Sequence, residues 1–338
     1  MTVEKLLEVK DLSIGFRIGK EVFQAVDNMS FTMKQGKVLG IVGESGSGKS
    51  VTVSTIMRLL PPNGVIAGGQ ILYKGEDLVK KAEDEMLEIR GKEISMIFQD
   101  PMTSLNPVFT VENQLVEAIQ IHQSVNKQQA RLKAIELLEL VGIQDAEKRI
   151  GLYPHNFSGG MRQRVMIAMA VACNPSLIIA DEPTTALDVT VQAKILDLLA
   201  DLQAKFQTGI IFITHDLEVI RDIADDVIIM YAGEVVESGP VLQIFEKPTH
   251  PYTRMLMQSI PKANKHAGKL HVIEGTVTPI KDIKKGSCRF ADRIPWIPAE
   301  AHEENPQLRE IEPGHFVRCT CYQHFHYKED APTERREG

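Results

Sequence analysis

Apolar residues alternate with polar ones through Leu6-Leu7-Glu8-Val9-Lys10, Val22-Phe23-Gln24-Ala25-Val26 and Met29-Ser30-Phe31-Thr32-Met33, which predicts three strands. The unbroken apolar run Val38-Leu39-Gly40-Ile41-Val42 predicts a strand buried on both faces. Helical periodicity follows over 49–60 and stops at Pro61-Pro62. Gly68-Gly69 to Gly75 suggests a further strand and turn, 80–90 a charged helix, and 94–98 a strand. Between 99 and 156 the pattern is mainly helical, most clearly over 111–121 and 128–141. Strands return at Leu177-Ile178-Ile179-Ala180, Ile210-Ile211-Phe212-Ile213 and Val227-Ile228-Ile229-Met230, with a helix over 191–205 between the first two. Strands alternating with helices predict an α/β fold with a mostly parallel sheet covered on both faces, interrupted by a helical insertion.

Composition narrows the class. The 338 residues are 43% hydrophobic and 25% charged, as in an ordinary globular protein, and the net charge of −7 argues against nucleic acid as the main partner. The first residues lead into no secretory signal, and the longest apolar run, 165–173, is far short of a membrane span. Four cysteines, unevenly spaced, fit a reducing compartment. Beyond Pro248 the composition shifts: seven of ten histidines and three of four cysteines lie there.

Chemistry enters at Gly43-Glu44-Ser45-Gly46-Ser47-Gly48-Lys49-Ser50, directly after the buried run. Glycines at this spacing let successive backbone N–H groups turn inward on phosphate oxygens, and the following helix adds the positive end of its dipole. Lys49 is then placed to reach the β- and γ-phosphates and Ser50 to ligate Mg²⁺, so the chain is expected to bind a nucleoside triphosphate. The strand Leu177-Ile178-Ile179-Ala180 delivers Asp181 and Glu182 at its tip, the first suited to Mg²⁺ and the second to the attacking water. Gln99 and His215 follow strands that belong in the same sheet, and they are candidates for a Mg²⁺ or water contact and a γ-phosphate contact. Ser158, Gly159 and Gly160 open a helix with a second anion-binding terminus. One chain with two such termini suggests that this one serves the nucleotide of another subunit.

Together these residues resemble the ATP-binding cassette superfamily over about residues 4–250. Gly43–Ser50 resembles its Walker A loop, Gln99 its Q-loop, and 177–182 its Walker B strand with catalytic glutamate. Phe157 to Gln163 resembles the signature, with Met161 where Gln is commoner. Thr185-Ala186-Leu187-Asp188 resembles the D-loop and His215 the switch histidine. Phe16 stands where the family places an aromatic on adenine, with Phe23 as competitor. The resemblance implies a P-loop, RecA-like core (1–98 and 166–248) with an antiparallel β subdomain, a helical signature subdomain (99–165) and a C-terminal extension (249–338). It implies ATP hydrolysis with Mg²⁺ held by Ser50, Gln99 and Asp181, Asp188 among the nucleotide-binding residues, and cassettes paired head to tail with the signature facing the partner's nucleotide. Residues 100–120 are expected to couple to membrane subunits.

His250-Pro251-Tyr252-Thr253-Arg254, Ser259-Ile260-Pro261, the block Cys288-Arg289-Phe290-Ala291-Asp292-Arg293 and the stretch from Gln99 to Pro107 resemble the oligopeptide and dipeptide permease group. That resemblance implies a paralogous ATPase partner, two permease subunits, an extracytoplasmic peptide-binding protein, and a place on the cytoplasmic face of the cell membrane. A nickel importer or a soluble, non-transport cassette ATPase are the alternative readings. Many relatives of this type carry four cysteines able to hold an iron–sulfur cluster. Cys288 and Cys319 match two of them, Ile294 and Ala301 stand at the other two, and Cys321 is additional. The tail is therefore expected to be metal-free, its cysteines packed with Trp296, Phe290 and Phe316. A zinc site completed by His302, His315, His324 or His326 is the alternative, and an iron–sulfur cluster is disfavoured by the missing thiolates.

Overall fold

The computed structural model describes residues 5–100, 104–185, 187–260, 273–284 and 286–328. Its centre is an eight-stranded mixed sheet in the order β11-β12-β10-β9-β3-β8-β7-β6. These strands are β3 (Val38–Val42), β6 (Ile94–Ile97), β7 (Leu177–Asp181), β8 (Gly209–Thr214), β9 (Asp226–Tyr231), β10 (Glu234–Pro240), β11 (Leu308–Glu312) and β12 (His315–Arg318). The five from β6 to β9 are parallel, and the remaining three continue the sheet antiparallel. A second, antiparallel sheet has the order β2-β1-β4-β5, from β1 (Lys5–Ile18), β2 (Glu21–Lys34), β4 (Gly64–Tyr73) and β5 (Glu76–Asp77).

The period-two rule of strands explains the layers. Leu39 and Ile41 of β3, Leu177 and Ile179 of β7, and Ile211 and Ile213 of β8 enter one core. That core is closed by the antiparallel sheet and by the helix Lys49–Ile56. Their neighbours Val42, Ile178, Ala180, Ile210 and Phe212 enter the other core, with the helices Val111–His122, Lys127–Leu140 and Gly159–Val171. Both faces are covered, so these strands carry almost no polar residue.

Three details differ from the sequence reading. The second and third predicted strands are one, β2, because Asn28 takes a left-handed φ of 47° and absorbs the break in alternation as a bulge paired to β1. The helix after the phosphate loop ends at Ile56, not at 60. Arg58 there adopts φ 53°, and the Leu59 N–H turns back to Ser54 O at 2.7 Å, a C-terminal cap that needs no proline. The C-terminal region does not merely append to the core. Its hairpin β11–β12 extends the main sheet, with Glu237 opposite Val317 and Ser238 opposite Phe316. The buried Glu237 carboxylate accepts the Thr249 and His250 N–H groups, each at 2.8 Å, and its Oε1 meets His315 Nε2 at 2.8 Å.

Candidate functional site

The phosphate loop runs from β3 to the helix Lys49–Ile56, at the carboxyl end of the parallel strands. Gly46 and Gly48 have φ of 81° and 99°, which favour glycine. A Cβ on Gly43 would lie 2.3 Å from Met230 O and 2.7 Å from Ser47 Oγ, so backbone packing demands glycine there. Lys49 is buried and donates to Gly43 O at 2.7 Å and Glu44 O at 3.0 Å. Burial pushes its ammonium below the usual lysine range, against the pull of Glu182, Asp181 and Glu44. Ser47 Oγ is buried without a hydrogen-bond partner among the described residues. A cradle of inward-turned backbone, a buried cation and an unmatched hydroxyl fit a polyphosphate.

Next to the loop, Ser50 Oγ donates to Asp181 Oδ1 at 3.1 Å. Burial pushes the Asp181 carboxyl above its ordinary range, and this hydrogen bond opposes the shift. A hydroxyl beside a desolvated carboxylate is a donor set that suits Mg²⁺. Glu182 takes φ 46°, an uncommon conformation for a side-chain-bearing residue, held by its N–H to Ile213 O at 2.9 Å. Its Oε2 receives Gln99 Nε2 at 3.1 Å and Thr185 Oγ1 at 2.9 Å, and His215 Nδ1 stands at 3.5 Å. Gln99 and His215 are thus brought onto one carboxylate oxygen from the ends of β6 and β8.

The other candidates lie apart from this cluster. Ser158 caps the helix Gly159–Val171, accepting from the Met161 N–H at 3.4 Å, and both Ser158 and Gly159 are exposed. Asp188 caps the helix Val189–Phe206, accepting from Val191 N–H at 3.0 Å. Phe16 and Phe23 face each other across β1 and β2, both half-buried, so the two competing aromatics share one face of the antiparallel sheet. Ala186, Pro261 and residues 101–103, named among the sequence motifs, lie outside the described residues.

Sequence reasoning missed the contacts that the C-terminal region makes with the phosphate loop. The Glu44 N–H donates to Tyr252 Oη at 3.0 Å. Arg293 places Nη1 on Glu44 Oε1 and Oε2 at 2.8 and 3.0 Å, Nε on Glu274 O at 2.8 Å, and Nη2 on Ile273 O and Gly275 O at 2.9 and 3.2 Å. Arg289 bonds Ala232 O and Asp27, and the adjoining Gly233 N–H reaches Ser47 O of the loop at 2.9 Å. The signals in the sequence were the His250–Arg254 and Cys288–Arg293 motifs themselves, which name no partner.

Comparison with known proteins agrees with the geometry. Residues 26–185 match the family model for ABC transporters, and residues 236–296 match the oligopeptide/dipeptide transporter C-terminal region. The oligopeptide transport ATP-binding protein OppD of Bacillus subtilis is 51% identical, over 94% of this chain and 88% of its own length. The dipeptide transport ATP-binding protein DppD of Escherichia coli is 46% identical, over 93% of this chain and 96% of its own. Among solved structures, the dimeric ATP-binding cassette MJ0796 bound to ADP and Pi superimposes with a TM-score of 0.63 at 29% identity, covering 70% of this chain and 98% of that one. The chain belongs to the ATP-binding proteins of the ABC transporter family, in the branch that carries the oligopeptide/dipeptide C-terminal region.

Proposed function

We propose that this chain is the ATP-hydrolysing subunit of a bacterial importer of oligopeptides or dipeptides. The observation that carries the reading is the convergence of Gln99, Thr185 and His215 on Glu182, beside a buried Lys49 and the Ser50–Asp181 pair. In this reading the loop N–H groups and Lys49 bind the β- and γ-phosphates of ATP, and Phe16, on a face shared with Phe23, stacks on adenine. Ser50, Asp181 and Gln99 hold Mg²⁺, which supplies charge neutralisation on the phosphate oxygens. Glu182 orients the attacking water and accepts its proton as the new P–O bond forms and the bond to ADP breaks. Gln99 and Thr185 hold the carboxylate in place, and His215 turns to the γ-phosphate.

Ser158 and Gly159, exposed at their helix mouth, together with half-buried Gly160, serve the nucleotide of a paralogous ATPase, and Asp188 contributes to nucleotide binding. Core (1–98, 166–248), signature subdomain (99–165) and extension (249–338) divide the work. Val108 and Phe109, 72% and 49% exposed ahead of the helix Val111–His122, support coupling to two permease subunits through residues 100–120. No described helix is long and apolar enough to cross a membrane. The chain would therefore act at the cytoplasmic face through those subunits, fed by an extracytoplasmic peptide-binding protein.

The test is transport. Membrane vesicles carrying this chain with the permease subunits and binding protein encoded beside it should accumulate labelled oligopeptide only with ATP. Accumulation of nickel instead, with peptide excluded, would overturn the peptide assignment and leave the ATPase reading intact.

A further inference from the structure

Three separate stretches of the C-terminal region bring side chains to one point. Cys288 precedes the short turn Ala291–Arg293, His302 follows the turn Ala299–Ala301, and Cys319 and Cys321 follow β12. One donor atom from each of the four lies within 4.8 Å of all the others. The thiols are buried and none forms a disulfide, and His302 is half-buried. Its Nδ1 has no hydrogen-bond partner among the described residues, which is costly for a buried nitrogen. Cys319 takes φ 66°, doubling the chain back so that the Cys321 N–H meets Cys319 Sγ at 3.5 Å. The three other histidines weighed from the sequence do not join them: His315 meets Glu237, His324 is exposed, and His326 Nδ1 lies 3.3 Å from His324 O.

The iron–sulfur cluster suggested by resemblance does not fit. A four-iron cluster puts each thiolate on its own iron, with sulfurs more than about 6 Å apart. This pocket is tighter, holds three thiols, and has the buried apolar Ile294 and Ala301 at the remaining positions. A single tetrahedral ion with sulfur at about 2.3 Å and nitrogen at about 2.0 Å asks for donors about 3.8 Å apart, which this cluster reaches by small side-chain adjustments. The expectation of a metal-free tail treated the cysteines as packing residues; of the four histidines weighed for a zinc site, His302 is the one the fold brings to them.

We propose that Cys288, His302, Cys319 and Cys321 form a structural site for one zinc ion, and that this ion braces the 288–293 strap against the phosphate loop. Four protein donors fill a tetrahedral ion and leave no position for water, so it takes no part in hydrolysis. Its reach is mechanical. Arg289 and Arg293, next to and near Cys288, hold the turn at Ala232 and the Glu44 carboxylate of the loop. This second part rests on the reading of 43–50 as the nucleotide loop, whereas the metal site stands without it.

The experiment uses the full chain, carrying no histidine tag and purified without oxygen or chelator. Elemental analysis should give one zinc per chain with neither iron nor acid-labile sulfide, and Co²⁺ exchanged into the site should show the visible ligand-field bands of tetrahedral thiolate coordination. His302→Cys should keep the zinc, while His302→Ala should release it to a chelator at least tenfold faster and Cys321→Ser should lose it. If Cys321→Ser does not fold, the wild-type metal content and the Co²⁺ spectrum decide alone. Stoichiometric iron with sulfide, a disulfide among these cysteines, or reduced metal-free protein would overturn the site. Zinc-stripped chain that stays folded should bind ATP at least fivefold more weakly, and unchanged affinity would overturn the brace. Zinc-loaded chain that binds no nucleotide would instead overturn the phosphate-loop reading.

Discussion

Arg293→Ala removes a guanidinium that is 8% exposed and that joins the C-terminal region to the nucleotide loop. Its three carbonyl partners, Ile273 O, Glu274 O and Gly275 O, would lose their donors, at about 1 kcal/mol each. The bond to Glu44 is charge-assisted, but that carboxylate stays 30% exposed and can turn to water, so about 1–2 kcal/mol is appropriate. Partial rehydration of the carbonyls trims the total, and the expected loss of unfolding stability is about 3–4 kcal/mol, within the range for breaking a buried pair. Urea unfolding of the full chain measures it. A double-mutant cycle with Glu44→Ala isolates the loop contact and should return about 1–2 kcal/mol of coupling. If that contact pre-orders the loop, ATP affinity falls by the same free energy, roughly 5–30-fold. Coupling below about 0.5 kcal/mol, the ordinary error of additivity, would refute the reasoning: the two groups would then be neighbours without consequence.

Further outcomes follow from the same geometry. Glu182→Gln keeps the side chain's size but removes the base, so ATP should still bind while phosphate release by the assembled transporter drops roughly 10²-fold or more; near wild-type turnover would remove Glu182 from that role. Ser158→Arg should leave ATP binding to the isolated chain intact yet abolish ATP-dependent association of two cassettes, and loss of binding in the folded, isolated variant would show that Ser158 serves its own nucleotide. Burial holds His250 neutral, its pKa pushed down from 6.5 to about 4, while its Nδ1 accepts the Tyr252 N–H at 3.1 Å. The unfolded chain therefore binds more protons between those values. Stability should be full above about pH 6.5 and fall by about 3 kcal/mol as pH drops toward 4. His250→Asn, which can still cap the helix, should flatten that slope in urea unfolding at pH 7.5 and 5; equal slopes would contradict the assignment.

The strand, glycine-rich turn and helix around 43–50 and the strand ending in Asp181-Glu182 were legible because their signals are local: glycine spacing, an apolar strand and a charged tip lie within a few residues of one another. Gln99 and His215 were legible one step removed, from the rule that parallel strands end on the same side of a sheet. That both would meet Glu182, with Thr185 as a third donor, depends on strand order, which periodicity does not encode. The join between β2's two halves was hidden by the bulge at Asn28. Arg293 and Glu44 are separated by 249 positions, and neither residue type predicts the other. His302 was named among four histidines, and only the path of the chain around β12 selects it.

The pairing of β12 with β10 also sets a schedule. Pro240 is synthesised about 75 residues before His315, which at roughly 5–20 residues per second is several seconds of translation. Through that interval β10 has β9 paired on one side and, among the described residues, no strand paired on the other, and Glu237 waits for the histidine that will share its burial. An unpaired edge strand of this kind is a template for another chain. A message truncated before Leu308 would thus yield a polypeptide with every nucleotide motif intact and an open sheet edge, prone to joining its copies before it could meet any partner.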